Sequence, residues 1–257
     1  MPNTALITGA SAGIGTEFAR YHAQRGGDLI IVARRKETLE ALKAEFEKEH
    51  EVSVHVIAAD LGSQAGAEQL IADVDALGVD VEILINNAGY GGHGTILDRE
   101  ASDDRAMIEL NVQTLVALTH HFGAKMAERG KGKILQVGST AGFMPGPGQA
   151  TYFATKAFVN SFSQAVDHEL RPKGVTCTVL APGYVETEFA KVANLEGTNL
   201  VKNGATPRSV AKIGYDAMRR GELVIINEKM LSFLMNWVVP FMPRRSTLKM
   251  VDRMQAK

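Results

Sequence analysis

The 257-residue sequence contains one cysteine, Cys177, so no disulfide can form within the chain. Its setting, Val175-Thr-Cys-Thr-Val-Leu180, reads as a buried strand, and a lone packing thiol fits a reducing, cytoplasmic environment. No stretch approaches the ~20 consecutive apolar residues that a membrane-spanning helix requires. No cationic leader or apolar signal segment is expected ahead of the first strand-like run, Thr4–Thr8. Neither sign of charge dominates: 28 Lys and Arg stand against 29 Asp and Glu, with no extended basic block in the first 240 residues. That excludes nucleic acid as the main partner, because neutralising phosphates needs a basic face. Histidines at helical metal-ligand spacing are missing too. His120 and His121 are adjacent and point apart on a helix, so no metal site is expected.

The chain does have enough apolar residues (45% hydrophobic, 22% charged) for one large core, and residues 1–257 read as a single domain. Short β-rich runs alternate with longer amphipathic stretches. Strands are expected at Ala5–Thr8, Leu29–Ala33, Val52–Ala59, Ile83–Asn86, Gly132–Val137, Val175–Ala181 and Leu223–Ile226. Helices are expected at Lys36–Glu49, Gln64–Leu77, Asp103–Arg129 and Thr151–Arg171. This alternation predicts right-handed βαβ crossovers in a doubly wound, Rossmann-type α/β fold: a mostly parallel seven-stranded sheet with helices on both faces. Most strands are continuous apolar runs, as expected when both sheet faces are buried, whereas Val52–Ala59 alternates and is placed nearer an edge. Two regions break the alternation. Residues 183–207 carry Gly197, Asn199, Asn203 and Gly204 and are long enough for a lid over a site. Residues 228–257 form a C-terminal extension.

The first strand runs into Thr8-Gly-Ala-Ser-Ala-Gly-Ile-Gly15, at the start of a helix pattern. Glycines permit a tight turn and close backbone approach, and the exposed N–H groups with the helix dipole favour a pyrophosphate. Gly9, Ser11, Gly13, Ile14 and Gly15 are therefore candidate dinucleotide-binding residues. The second strand ends in Arg34-Arg35-Lys36, with no carboxylate before Glu37. An acid there would hold a ribose 2′-hydroxyl, whereas guanidinium groups favour a 2′-phosphate, so the expected cofactor is NADP(H). Arg34 is the preferred contact, with Arg35 or Lys36 assisting; Ala12 supplies no basic group inside the turn.

Tyr152 and Lys156 are four residues apart and share a helix face, with Ser139 upstream. A phenol with a pKa of about 10 is slow to ionise at neutral pH, and a neighbouring ammonium lowers that value. Of the five tyrosines, Tyr152 alone has a lysine four places on.

With the other motifs, in order, the sequence resembles the short-chain dehydrogenase/reductase family over roughly residues 4–227. The motifs are Thr8–Gly15, Asp60-Leu61, Asn86-Asn-Ala-Gly89, Asn111, Ser139, Tyr152-x-x-x-Lys156, and Pro182-Gly183 followed by Thr187. The resemblance implies hydride transfer between a nicotinamide and a carbonyl or secondary alcohol. Tyr152 would be the general acid/base, Lys156 would tune it and hold the nicotinamide ribose, Ser139 would polarise the carbonyl, and Asn111 would support a water relay. Asp60, with Leu61, would contact the adenine. Asn87, Ala88 and Gly89 would line the cleft, and Pro182, Gly183, Val185 and Thr187 would cradle the nicotinamide end.

Phe143, Met144 and Tyr184 follow the predicted active-site strands and are candidate substrate contacts, hinting at an uncharged or hydrophobic substrate. His93 lies near the cleft but reads as an exposed loop residue. In the extension, Met230–Pro243 has ten apolar residues of fourteen, and Arg244–Lys257 has five basic residues and one acid. Leu231, Leu234, Met235 and Val238 form a helical stripe that Phe233 and Trp237 widen. Three covers fit it: its own subunit, which is preferred, a dimer partner, or an anionic membrane. The family resemblance also implies a homo-oligomer, dimer or tetramer. A 3-oxoacyl-thioester or hydroxysteroid-like substrate refines the leading reading, and a non-catalytic NADP(H)-sensing regulator is the alternative from another class.

Overall fold

The computed structural model describes residues 3–201 and 203–256; the lid and extension ranges are covered apart from Lys202 and Lys257. In chain order the strands are β1 (Thr4–Thr8), β2 (Leu29–Ala33), β3 (Val54–Ala58), β4 (Val81–Asn86), β5 (Gly132–Val137), β6 (Val175–Leu180) and β7 (Val224–Ile225). The helices are α1 (Gly13–Ala23), α2 (Lys36–His50), α3 (Gln64–Ala76), α4 (Ala101–Ile108), α5 (Leu115–Glu128), α6 (Ala150–Leu170), α7 (Phe189–Val192), α8 (Pro207–Arg220), α9 (Lys229–Phe233) and α10 (Arg244–Gln255). The seven strands lie in the order β3-β2-β1-β4-β5-β6-β7, and every pair is parallel. β3 is an edge strand, in keeping with its alternating pattern.

Strand periodicity divides the core. Ala5 and Ile7 of β1 and Ile31 of β2 face one layer, against Phe18 and Ala19 of α1 and Tyr215 of α8. Leu6, Ile30 and Val32 face the other, against Leu70 and Val74 of α3 and Leu118 and Phe122 of α5. Cys177 is fully buried in the second layer. At α8, Thr206 accepts from the Ser209 N–H (3.3 Å), Pro207 opens the helix and Gly221 ends it at φ 70°. A polar cap of this kind is worth about 1 kcal/mol.

The pattern over Asp103–Arg129 predicts one helix, and the chain forms a rod with a defect. Between α4 and α5 lies a π-helical stretch, Glu109–Thr114, containing Asn111. Wider π turns are often found at functional sites. A parallel sheet places all strand C-termini on one edge, so the segments after β1, β2, β3, β4, β5 and β6 converge there.

The extension folds back on its own chain. α9, a π turn (Leu234–Val238) and a 3-10 turn (Val239–Phe241) run together, broken by Pro240, before α10. Leu231, Met235 and Val239 pack with Ala181, Ile226, Phe143 and Met144. The buried stripe differs from the expected one: Leu234, Phe233 and Trp237 are exposed, and Val239 takes the place given to Val238. The π turn changes the helical phase, so a constant 3.6-residue period misassigns the face after Phe233.

Candidate active site

The glycine turn is shaped by steric necessity. Gly9 and Gly13 have φ values of 67° and 57°, a region costly for side chains. Gly15 is buried, and a Cβ there would run into the Gly9 carbonyl oxygen and the Asn87 side chain. Asn87 donates Nδ2 to the Thr8 carbonyl (2.9 Å), and its N–H reaches the Thr8 hydroxyl (3.0 Å), which also accepts from Ala88 N–H (3.0 Å). The residues after β4 thus brace the turn from behind. At α1, the N-cap residue Ala12 offers no side-chain acceptor, and the first turn carries no acid. The helix therefore starts with uncapped amides and an uncompensated positive dipole end, which suits an anionic ligand. A cleft of about 350 Å³ opens beside it, lined by Ser11, Gly13, Thr16, Thr187, Glu188 and Pro207.

The two arginines differ. Arg35 folds onto the turn, donating to the Ser11 hydroxyl (3.2 Å) and carbonyl (3.0 Å), and pairs with Glu188 (3.2 Å). Arg34 is exposed and has no hydrogen bond or ion pair among the described residues. An unpartnered guanidinium next in sequence to the arginine that braces the turn fits the phosphate-bearing end of a dinucleotide. Asp60 is exposed and its carboxylate accepts from Gly62 N–H (3.1 Å), capping a turn, while Leu61 is buried and its carbonyl accepts from Thr114 (2.8 Å).

Farther along the same edge, Tyr152 and Lys156 sit in the first two turns of α6, both buried. The Lys156 ammonium donates to the Val137 carbonyl (2.7 Å) and lies 5.9 Å from the Tyr152 ring centre. Burial lowers its pKa to about 8. Burial raises the Tyr152 phenol to about 12, opposed by a hydrogen bond with Ser139. This departs from the expectation that the lysine sets the phenol's acidity. Here desolvation dominates, the ammonium is engaged with a backbone carbonyl, and the serine is what favours the phenolate. Ser139 follows β5; its hydroxyl accepts from Ala141 N–H (3.1 Å), and its carbonyl accepts from Asn160 (3.0 Å).

Asn111 is buried and spends its amide on the loop after β4. Its Nδ2 donates to the Tyr90 carbonyl (2.9 Å) and Thr155 hydroxyl (3.1 Å), and its Oδ1 accepts from Tyr90 N–H (3.1 Å). A Cβ on Gly89 would lie 2.9 Å from that Oδ1 and 3.7 Å from the lysine nitrogen. Asn111 therefore fixes the cleft wall directly beside Lys156.

The expected substrate contacts diverge. Phe143 packs into the extension's cluster, whereas Met144 touches both that cluster and the one around Tyr152. Tyr184 packs within residues 183–207, against Ala190, Ala193 and Leu195. That segment is tied down where the Val185–Ala205 bridge joins its ends and where the Ala193 carbonyl accepts from His93 N–H (2.9 Å). Pro182 and Val185 are buried, Gly183 meets Leu231, and Thr187 abuts Gly13. His93 is half-buried, its ring nitrogen 3.1 Å from the Gln255 carbonyl.

Sequence reading missed Phe189, whose ring lies 5.3 Å from that of Tyr152, and Val251 of α10 in the same cluster. Only the position of Phe189 two residues after Thr187 could have signalled it; nothing local marks Val251.

Residues 3–197 match the family described as short chain dehydrogenase. Among curated proteins, a sulfoacetaldehyde reductase of Chromohalobacter salexigens is 39% identical over 75% of this chain and 76% of its own length. A very-long-chain 3-oxoacyl-CoA reductase of Anas platyrhynchos is 28% identical over 96% of this chain and 78% of its own. Among solved structures, a short-chain dehydrogenase from Sphingobium yanoikuyae in complex with NADPH superposes with a TM-score of 0.84. It is 33% identical, covering 91% of this chain and 90% of that one.

Proposed function

The chain belongs to the short-chain dehydrogenase/reductase family of oxidoreductases acting on alcohol and carbonyl groups, and on that premise we propose that it is an NADP(H)-dependent carbonyl reductase. The observation that carries the cofactor preference is the free Arg34, with Arg35 beside it and no carboxylate before Glu37. The NADPH complex of the Sphingobium protein supports the same reading.

A nicotinamide cofactor bound along the strand C-termini would supply the hydride. Gly9, Ser11, Gly13, Ile14 and Gly15 would present backbone N–H groups to its pyrophosphate. Asp60 and Leu61 would border the adenine, Asn87 to Gly89 would form the cleft wall, and Pro182, Gly183, Val185 and Thr187 would flank the nicotinamide. Lys156 would hold the nicotinamide ribose. Ser139 would hold the substrate oxygen in a water-poor site, where a fixed donor acts strongly. Tyr152, protonated because burial raises its pKa, would pass its hydroxyl proton to the forming alkoxide. Asn111 would keep the Tyr90 loop and Lys156 in register, alongside the proposed water relay.

Apolar neighbours of Tyr152, namely Met144, Phe153, Phe189 and Val251, favour an uncharged or hydrophobic carbonyl substrate. The 3-oxoacyl-CoA reductase among the relatives gives the thioester refinement a specific basis. Homo-oligomer formation through the α4–α5 rod and α6 belongs to the same reading, supported by Ile108 and Phe158 exposed there. The test is a substrate panel of aldehydes, ketones and 3-oxoacyl thioesters with NADPH and NADH. Higher kcat/KM with NADPH is expected, and Arg34→Ser should erase most of that preference. Preference for NADH in the natural protein would refute the cofactor assignment, and no turnover across the panel would favour a regulator.

A further inference from the structure

The extension has a second apolar face, separate from the one that packs on its own chain. Met230 (71% exposed), Phe233 (56%), Trp237 (68%) and Phe241 (78%) are open to solvent, while Met235 and Val239 between them are buried. They fall along the continuous run of α9, the π turn and the 3-10 turn, and their exposure rather than a constant helical period separates them from the buried Met235 and Val239. Four large side chains on one short segment make an unusual stripe for a water-facing surface.

Its charge surroundings identify a cover. Lys229 precedes the stripe, and Arg244 and Arg245 begin α10 three residues after Phe241, with Lys249 one turn on. All four are exposed, and none has an ion pair among the described residues. Glu228 and Asp252 are the only carboxylate side chains between residues 228 and 256. The chain as a whole has a net charge of −1, so this basic surplus is local. A second copy meeting this face about a two-fold axis would bring the same cations together with few acids to answer them. The exposed apolar residues on the α4–α5 rod and α6 offer copies a different face.

We propose that the stripe Met230–Phe233–Trp237–Phe241, flanked by Lys229, Arg244, Arg245 and Lys249, is a docking surface for an anionic lipid bilayer. The apolar side chains enter the acyl boundary, tryptophan sits at the headgroup level, and the basic residues meet lipid phosphates. The segment lies in the interface plane, because no described helix is long and apolar enough to cross a membrane. Nothing in this assignment depends on the chemistry at Tyr152.

Trp237 is the chain's only tryptophan, so its fluorescence reports on this face in the full-length protein. Vesicles of phosphatidylcholine, with and without phosphatidylglycerol, are titrated while fluorescence, brominated-lipid quenching and co-sedimentation are followed. Anionic vesicles should sediment the protein, shift the emission to the blue and allow quenching, and neutral vesicles should do so weakly. R244E/R245E should reduce partition by about 25-fold or more, taking about fivefold per basic residue at an anionic surface. Phe241→Ser should reduce it about tenfold. Circular dichroism of both variants should match the parent, and their mass in the absence of lipid should be unchanged. No sedimentation with anionic vesicles, or partition indifferent to lipid charge, would overturn the proposal. A fall in oligomer mass on Phe241→Ser, without vesicle binding by the parent, would assign the face to a second copy.

Discussion

Replacing Lys156 with methionine should stabilise the cofactor-free protein at neutral pH while abolishing its activity. The ammonium is buried, and its pKa is held at about 8 against an ordinary 10.5. At about 1.4 kcal/mol per pKa unit, the fold bears a penalty of about 3 kcal/mol when the group is charged. Methionine removes that penalty and fills similar space. It also strips the Val137 carbonyl of its 2.7 Å donor, a loss of about 1–3 kcal/mol. The net gain is about 1 kcal/mol, or about 2–4 °C in Tm for a chain of this size. The pH dependence separates charge from packing. The folded pKa lies below the unfolded one, so the penalty is complete below about 8 and absent above about 10.5. Between those limits the unfolded chain holds a proton that the folded chain has released, and parent stability rises with pH. By about pH 9.5 roughly 2 kcal/mol of the penalty has gone, and the parent should equal or exceed the variant. Tyr152 and Cys177, both raised by burial, are present in both proteins and cancel in the difference. Urea unfolding at about pH 7 and pH 9.5, without cofactor, measures it. A Lys156→Met difference that stays the same at both pH values would refute the reasoning, because a packing change alone carries no proton linkage.

Tyr152→Phe should lower kcat by about 10²–10⁴-fold while NADPH binding, followed by fluorescence, persists; near-normal turnover would end the general-acid assignment. Ser139→Ala removes the hydrogen bond that favours the phenolate, so the Tyr152 pKa should rise further. Any alkaline limb of the rate profile set by that phenol should move to higher pH, with kcat about 10²-fold lower; an unmoved limb would show that the serine does not act on the phenol. Gly15→Ala forces a methyl into the Gly9 carbonyl and should abolish cofactor binding measured by calorimetry, with a loss of about 1–3 kcal/mol in unfolding stability. Normal binding by that variant would mean the turn is looser than described.

Local sequence determined much of this protein because local physics is enough for it. Short uninterrupted runs rich in β-branched residues, such as Leu29–Ala33, fit strands buried on both faces. Gly9 and Gly13 mark backbone conformations that side chains resist, and Arg34-Arg35 exclude an acid at the ribose position. Once the strands are parallel, their C-termini share an edge, so motifs scattered from Gly9 to Thr187 had to converge.

Tertiary structure decided what depends on distant partners. The four-residue step from Tyr152 to Lys156 put both on one helix face, but burial set their proton affinities and Val137 took the ammonium. Asn111 is a poor helix former by type, yet it grips Tyr90 from within a π turn that no propensity encodes. Phe143 and Tyr184 lie close in sequence to active-site strands, and packing turned each into another cluster. The extension was legible as apolar and basic; which half of its apolar residues would be buried depended on a change of helical phase and on the surface awaiting it. Pattern fixes which residues must leave water or adopt rare backbone angles, whereas desolvation, proton affinity and choice of face are properties of the assembled surroundings.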